Sequence, residues 1–136
     1  MGRVHLRALS GSDVVRVVAV AEPMPVMLSD IERYTDADAM LRAGRLDGVL
    51  IAAPTTLHLS LVTQVVAARL PILCEKPCGI TADEAREAAI VAERHGVRLQ
   101  IAYWRRFVPA LQRLRQRIAN GAFGDLYCVE LPPVGR

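Results

Sequence analysis

The sequence is poor in lysine, aromatic residues and cysteine, and it contains no long apolar run. No stretch approaches the ~20 apolar residues of a membrane helix, and the opening Met1-Gly2-Arg3 does not begin a signal peptide. The three cysteines form no C-x-x-C pair, which argues against both a disulfide scaffold and a zinc site. We therefore expect a soluble cytoplasmic protein with no metal and no membrane partner.

The residues that are present are typical of a globular chain. Hydrophobic residues make up 52% of the 136 residues, which is enough to bury a core of one domain. The net charge of +3 is too small to indicate a nucleic-acid partner unless the basic residues cluster.

Lysine is nearly absent: Lys76 is the one lysine among 17 basic residues, and the other 16 are arginine. It follows the apolar run 72–74, a predicted buried strand that must stop at Pro77 because proline cannot donate to a ladder. Glu75 and Lys76 therefore lie at the carboxyl end of a strand, where open α/β sheets bind ligands. A lysine suits a site that needs a compact charge or an amine able to lose its proton. A strand-end ion pair with no chemistry is the alternative.

Strand and helix patterns alternate along the chain. Buried strands are predicted over residues 14–21, 48–53, 72–74, 99–104 and 126–131. Helices are predicted over residues 3–10, 35–43, 57–69, 81–95 and 104–118, and the segment 29–34 is weakly patterned. The predicted helix caps are Thr35 or Asp36, Thr55 or Thr56, and Thr81. Several strands are apolar on both faces, so the predicted fold class is α/β, with a doubly wound parallel sheet covered by helices on both sides.

Such a sheet raises the question of a dinucleotide, but the first strand and its glycine loop are missing from the sequence. Gly2 and Glu22 are 22 − 2 = 20 positions apart. This is the separation expected between the glycine loop and the acid that holds a ribose hydroxyl. Because glycines and acids are common, the spacing is weak evidence by itself.

Five short motifs follow one another in a characteristic order. They are Met1-Gly2-Arg3-Val4-His5, Ala21-Glu22-Pro23, Ala53-Pro54-Thr55-Thr56-Leu57-His58, Cys74-Glu75-Lys76-Pro77 and Trp104-Arg105-Arg106-Phe107. Together they resemble the nucleotide-binding half of the glucose–fructose oxidoreductase / inositol dehydrogenase family (Gfo/Idh/MocA), over essentially the whole chain. The resemblance implies an NAD(P)-dependent oxidoreductase of sugars, cyclitols and related compounds. It also implies a Rossmann domain and a second α/β domain with a large open sheet.

The resemblance assigns roles to the cofactor side of the site. It implies that Gly2 is the last glycine of the G-x-G-x-x-G loop and that Glu22 faces the adenosine ribose. A carboxylate there favours NAD over NADP because it repels a 2′-phosphate. The same resemblance implies that four residues line the cofactor after the strand 48–53. These are Ala53, Pro54, Thr55 and His58.

Further roles lie at the reacting end. The resemblance implies that Glu75 sits by the nicotinamide ribose, and that Trp104 and Arg105 border the nicotinamide pocket. Lys76 is the implied catalytic residue, which would polarise the substrate hydroxyl or relay its proton during hydride transfer.

The resemblance further implies a chain truncated at both ends. Residues 1–125 would be a partial Rossmann domain without its first strand and first two glycines. Residues 126–136 would start the substrate and oligomerisation domain with its first strand only. The missing strand is expected to be central, between the strand ending at Glu22 and the one ending at Pro77 or its neighbour. Our hypothesis is a fragment of a longer reading frame, homo-oligomeric in its full-length form and inactive as residues 1–136.

The arginines near the last helix favour one rival function, a module that binds a polyanion or another protein. At 100° per residue, Arg106, Arg113 and Arg117 would form a basic stripe. A solvated helix face in an arginine-rich composition looks the same, and no nucleic-acid motif is present. Of the other histidines, His5 is expected to be structural or exposed, and His95 to be a helix C-terminal residue.

Overall fold

The computed structural model describes residues 1–130, which belong to two compact units, Met1–Ala102 and a second that begins at Tyr103. The first unit contains α1 (Gly2–Leu9), β1 (Ala19–Ala21), β2 (Glu32–Tyr34), α2 (Ala37–Arg42), β3 (Val49–Ile51), a short 3-10 helix (Thr55–Leu57), α3 (His58–Ala67), β4 (Ile72–Cys74), α4 (Ala82–Arg94) and β5 (Leu99–Ile101). The second contains a 3-10 helix (Trp104–Phe107) and α5 (Pro109–Ala119). Within residues 1–130, no helix has the length and apolar character needed to cross a membrane.

The strands form two parallel sheets. One pairs β1 with β2, and the other has the order β3-β4-β5. In the larger sheet Leu50 lies opposite Leu73, and Leu73 lies opposite Gln100. Parallel strands that alternate with helices confirm the predicted α/β, Rossmann-like class. Among the described residues, β1 and β3 each pair along one edge only.

The core lies between the larger sheet and the helices α3 and α4. Its fully buried members include Val62, Val65, Val66, Cys74 and Ala88. Small alanines on α4 let it pack closely against α3, where larger side chains would hold the two helices apart. On the opposite face of the sheet Leu73 remains 36% exposed, so helical cover is dense on one face and thin on the other.

Local side-chain chemistry fixes the ends of α2 and α4. Asp36 accepts a hydrogen bond of 2.8 Å from the Ala39 N–H, and this bond lowers the pKa of its carboxyl. Thr81 accepts from the Glu84 N–H at 3.2 Å, while the Glu84 carboxylate accepts from the Ile80 N–H at 2.7 Å. These caps confirm the predicted starts. At the start of α3 the prediction of a threonine cap is wrong, because residues 55–57 form a 3-10 turn without a side-chain cap.

The smaller sheet differs from the prediction in two ways. The strand predicted over residues 14–21 shortens to Ala19–Ala21, and Val14 is 93% exposed. The weakly patterned segment contains β2, whose sequence Glu32-Arg33-Tyr34 has no apolar alternation. Its main chain nevertheless bonds to β1, with Glu32 N–H donating to Val18 O and Glu22 N–H donating to Tyr34 O. The β-branched run therefore forms a strand only over the residues that pair with β2.

In the second unit the helix predicted over 104–118 begins late, because of a proline. Pro109 occupies the first turn of α5, and Val108 before it is extended, as residues before proline tend to be. Arg106 therefore lies in the preceding 3-10 turn, and the predicted stripe retains only Arg113 and Arg117 on α5. Residues 126–130 form no strand, which contradicts the prediction there, and Leu131 lies outside the described residues. The predicted domain boundary after residue 125 stays a prediction.

Burial controls the chemistry of two core thiols. It raises the pKa of Cys74 to about 12, and the neighbouring Cys78 thiol contributes to the rise. Burial likewise raises the pKa of the Cys78 thiol. The third cysteine, Cys128, is exposed. Only the thiolate reacts with electrophiles. The two buried thiols are therefore protected from alkylation both because they are inaccessible and because their raised pKa keeps them protonated.

Gly79 is a position where the fold excludes a side chain. A Cβ added there would lie 2.6 Å from the Glu84 Cβ and 2.9 Å from the Ala85 nitrogen, in the first turn of α4. We expect Gly79→Ala to lower the free energy of unfolding by about 1–3 kcal/mol, as overpacking does. Urea denaturation measures the loss. Gly11→Ala is the control, because nothing lies within 4 Å of its Cβ, and it should change stability by less than about 1 kcal/mol. Equal losses in both variants would contradict the steric argument.

Alkylation should separate the three cysteines. At pH 8 iodoacetamide is expected to modify Cys128 first and Cys74 last, because a raised pKa keeps a thiol protonated. Reaction at Cys74 should rise as the pH climbs from 9 toward about 12. Peptide mass spectrometry locates the modified residues, and the same reaction in urea should label all three. Rapid labelling of Cys74 in the folded chain at pH 8 would show that the thiol is not protected.

Candidate functional site

The site is built where the central strand of the larger sheet ends. Glu75 and Lys76 follow β4 directly, and β4 lies between β3 and β5. Main-chain bonds extend beyond the strand ends, with Glu75 N–H donating to Ile51 O and Ala102 N–H donating to Cys74 O, both at 2.9 Å. The chain at Glu75 is therefore held from both sides, which makes this edge of the sheet a rigid support for side chains.

The Glu75 carboxylate is buried and fully engaged. The residue is 9% exposed, and its Oε1 lies 2.7 Å from His5 Nε2. Its Oε2 accepts the main-chain N–H of Lys76 at 3.1 Å. A buried carboxylate is costly unless its oxygens have donors, and here each oxygen has one. The group therefore joins α1 to the end of β4.

Lys76 is exposed, and its amine is not used by the adjacent glutamate. Within residues 1–130 the salt bridges involve His5, Arg42, Arg45 and Arg86 as the basic partners, and none involves Lys76. The alternative of a Glu75–Lys76 ion pair therefore does not describe this strand end. Among residues 1–130, the Lys76 amine therefore has no ionic partner.

His58 connects the ends of β3 and β4. It is 1% exposed, with Nδ1 2.7 Å from Pro77 O and Nε2 2.9 Å from Ala53 O. Carbonyl oxygens only accept, so a neutral ring with a single N–H can donate to one of them at a time. Both ring nitrogens face the main chain. The role of His58 as a direct cofactor contact stays a prediction, and its observed contacts hold two strand ends together.

The other residues predicted after β3 line the same edge of the sheet. Ala53 and Thr55 are half-buried, and Pro54 is exposed and precedes the 3-10 turn 55–57. The Ala53 carbonyl oxygen is one of the two that His58 contacts, and the other is that of Pro77. Ala53, His58 and the segment 75–77 are therefore brought together by direct contacts.

Gly2 lies in the first turn of α1. A side chain there would meet no atom within 4 Å. The helix follows Met1 with no side-chain cap, and the Val4 and His5 N–H groups donate to Met1 O. The Gly2 and Arg3 N–H groups have no partner within the helix, as is general for the first turn of a helix. This end of α1 is open to an anionic group.

Glu22 follows β1 at the carboxyl end of the smaller sheet. Its Oε1 accepts the Met24 N–H at 3.0 Å, which orients the carboxylate within a tight turn. Arg33, from β2, donates to the carbonyl oxygens of Glu22 and Pro23, both at 3.0 Å. No described hydrogen bond joins Glu22 to Glu75 or Lys76.

Trp104 and Arg105 belong to the second unit and lie in its 3-10 turn. Both are exposed, and the Arg105 guanidinium lies 5.6 Å from the centre of the Trp104 ring. Their predicted place beside the nicotinamide stays a prediction.

His5 has a partner that the sequence does not reveal. In agreement with the structural role predicted for it, His5 is half-buried, and it contacts Glu75, which is 70 positions away. One signal was available: His5 and Gly2 lie three residues apart, so a helix presents them on the same side. Its partner Glu75 could not be found from any local pattern.

Known proteins resemble this chain over most of its length. The family model Gfo/Idh/MocA, described as an oxidoreductase family with an NAD-binding Rossmann fold, matches residues 1–103. The rhizopine catabolism protein MocA of Rhizobium meliloti is 50% identical, over 98% of this chain and 45% of that protein. Inositol 2-dehydrogenase of Rhizobium meliloti (strain 1021) is 31% identical, over 96% of this chain and 41% of that protein.

A solved structure agrees with the fold. Myo-inositol 2-dehydrogenase from Lactobacillus plantarum superposes with a TM-score of 0.80 at 26% identity, over 92% of this chain and 40% of that one. The chain thus spans less than half the length of these relatives. Since the family match extends over residues 1–103, well over half of the sequence, the chain belongs to the Gfo/Idh/MocA oxidoreductase family with its NAD-binding Rossmann fold.

Proposed function

We propose that this chain is the nucleotide-binding part of an NAD-dependent dehydrogenase that acts on a sugar or cyclitol. The reaction would move hydride between a hydroxyl-bearing carbon of the substrate and the nicotinamide ring. The observation that carries the proposal is the exposed Lys76 amine at the end of the central strand, without a salt bridge among the described residues. The names of two relatives, both inositol dehydrogenases, favour a cyclitol as substrate.

The residues present fit a dinucleotide. The open first turn of α1 suits a pyrophosphate, because its N–H groups and the helix dipole favour negative charge. The space beside Gly2 lets a phosphate approach the main chain closely. Ala53, Pro54, Thr55 and His58 are proposed to line the cofactor. The contacts of His58 with the Ala53 and Pro77 carbonyl oxygens would also hold that lining in place.

Glu22 is proposed to select the cofactor. One of its oxygens accepts the Met24 N–H, which leaves the other to accept a ribose hydroxyl. A 2′-phosphate in the same place would meet a carboxylate, so NAD is favoured over NADP. The guanidinium of Arg33 could offset that repulsion, but it already donates to two carbonyl oxygens.

The bound nicotinamide would supply the hydride acceptor, and the chain would handle the proton. Lys76 is proposed to donate a hydrogen bond to the substrate hydroxyl, or to receive its proton as hydride leaves the carbon. A lysine can do both, whereas guanidinium stays protonated. Glu75, Trp104 and Arg105 are proposed to surround the nicotinamide and its ribose. The rival polyanion-binding function is less favoured, since Arg106 is not on α5 with Arg113 and Arg117.

Cofactor preference provides a first test. We expect saturation-transfer NMR to detect binding of NADH to the chain and weaker binding of NADPH. Glu22→Ser should lower the ratio of the dissociation constant for NADPH to that for NADH about tenfold, because it removes the carboxylate that the 2′-phosphate meets. Glu87→Ser, the same change at an exposed position of α4, is the matched control and should leave the ratio unchanged. Equal binding of NADH and NADPH by the unmodified chain would contradict the role of Glu22.

Turnover provides a second test. Residues 1–136 are expected to form no NADH from NAD and myo-inositol, measured by absorbance. The reason is that the chain spans less than half the length of the relatives that it matches. Steady NADH formation would refute this expectation of inactivity. If such activity disappeared in Lys76→Met, the proposed role of Lys76 would still stand.

A further inference from the structure

We propose that His5 is a positioning residue for Lys76 and acts through the Glu75 carboxylate. The inference rests on the proposed function, because it matters for catalysis only if Lys76 acts on the substrate. In the proposed arrangement, His5 contacts neither the substrate hydroxyl nor the nicotinamide. It fixes the main chain from which the Lys76 side chain extends.

The contacts form a continuous series from α1 to the lysine. His5 Nε2 lies 2.7 Å from Glu75 Oε1, and Glu75 Oε2 accepts the Lys76 N–H at 3.1 Å. The two oxygens of one carboxylate are thus divided between a side chain on α1 and the main chain at the catalytic position. Rotation of the carboxylate would break both contacts at once, so each contact restrains the other.

Burial makes His5 necessary for this arrangement. The Glu75 side chain is 11% exposed and the His5 side chain is 23% exposed. Without the imidazole donor, one carboxylate oxygen would lack a partner in a buried place, which is unfavourable. The carboxylate would then turn toward water, and the Lys76 N–H would lose its acceptor.

The contact between His5 and Glu75 also attaches α1 to the end of β4. No residue of α1 is buried, and among the described hydrogen bonds His5–Glu75 is the only one made by an α1 side chain. The helix whose first turn is proposed to hold the pyrophosphate is therefore linked to the strand end that holds Lys76. Through Glu75, the cofactor-binding helix and the catalytic amine share one support.

The sole lysine makes the proposal directly measurable. A sample labelled with ¹⁵N-lysine gives one main-chain amide signal, that of Lys76. We expect His5→Ala to raise the hydrogen-exchange rate of this amide about tenfold or more, because its charged acceptor is no longer held. In the variant His5→Gln the Lys76 amide should exchange as slowly as in the unmodified chain, since the glutamine amide can donate to Glu75 from a similar position. His95→Ala, at an exposed histidine with one carbonyl contact, should have no effect.

A second label separates positioning from general destabilisation. The Ile72 N–H donates to Arg98 O at 2.8 Å within the sheet ladder, and a ¹⁵N-isoleucine sample reports its exchange. Faster exchange at Lys76 with an unchanged Ile72 supports the proposal. Equal acceleration at both amides, or none at Lys76, would overturn it and leave His5 a structural residue. Because no cofactor or substrate is present, this result is independent of NADH binding, whose absence would overturn only the proposed function.

Discussion

A buried carboxylate at the end of the central strand is the constraint that organises this site. Glu75 can be buried only because each of its oxygens has a donor, one from His5 and one from the Lys76 N–H. The first donor lies 70 positions from Glu75 in the sequence, and the second belongs to the next residue. Satisfying the carboxylate therefore fixes α1, the end of β4 and the start of the Lys76 side chain together. A solvated glutamate would impose none of these restraints, since water would supply its hydrogen bonds.

The sheet provides a rigid base for that carboxylate. β4 is bonded on both sides, its inward residues pack against α3, and His58 joins the loop after β4 to the loop after β3. Parallel strands bring their carboxyl ends to one edge, so residues far apart in sequence lie next to one another there. The buried histidine contacts main chain rather than solvent. Its two carbonyl contacts hold the ends of β3 and β4 together.

Local patterns in the sequence identify the parts of the fold that local chemistry decides. The strand at 72–74 follows from its apolar run, and the starts of α2 and α4 follow from Asp36 and Thr81. β2 could not be predicted because its pairing comes from the β1 main chain, not from its side chains. The late start of α5 was readable from Pro109, which forces the preceding residue out of the helix. The contact between His5 and Glu75 was not readable, because it depends on tertiary folding.

The choice of lysine at position 76 gains its explanation from the residue beside it. If Glu75 were simply the ion partner of Lys76, arginine would serve equally well, and arginine occupies the 16 other lysine or arginine positions. Glu75 instead accepts from His5 Nε2 through one oxygen and from the Lys76 main-chain N–H through the other, so both oxygens are engaged away from the Lys76 amine. Lys76 is exposed and forms no salt bridge within residues 1–130. The proposed catalytic role offers a reason for an exposed lysine without a salt bridge in a composition that otherwise uses arginine, because an amine can give up a proton whereas guanidinium stays protonated.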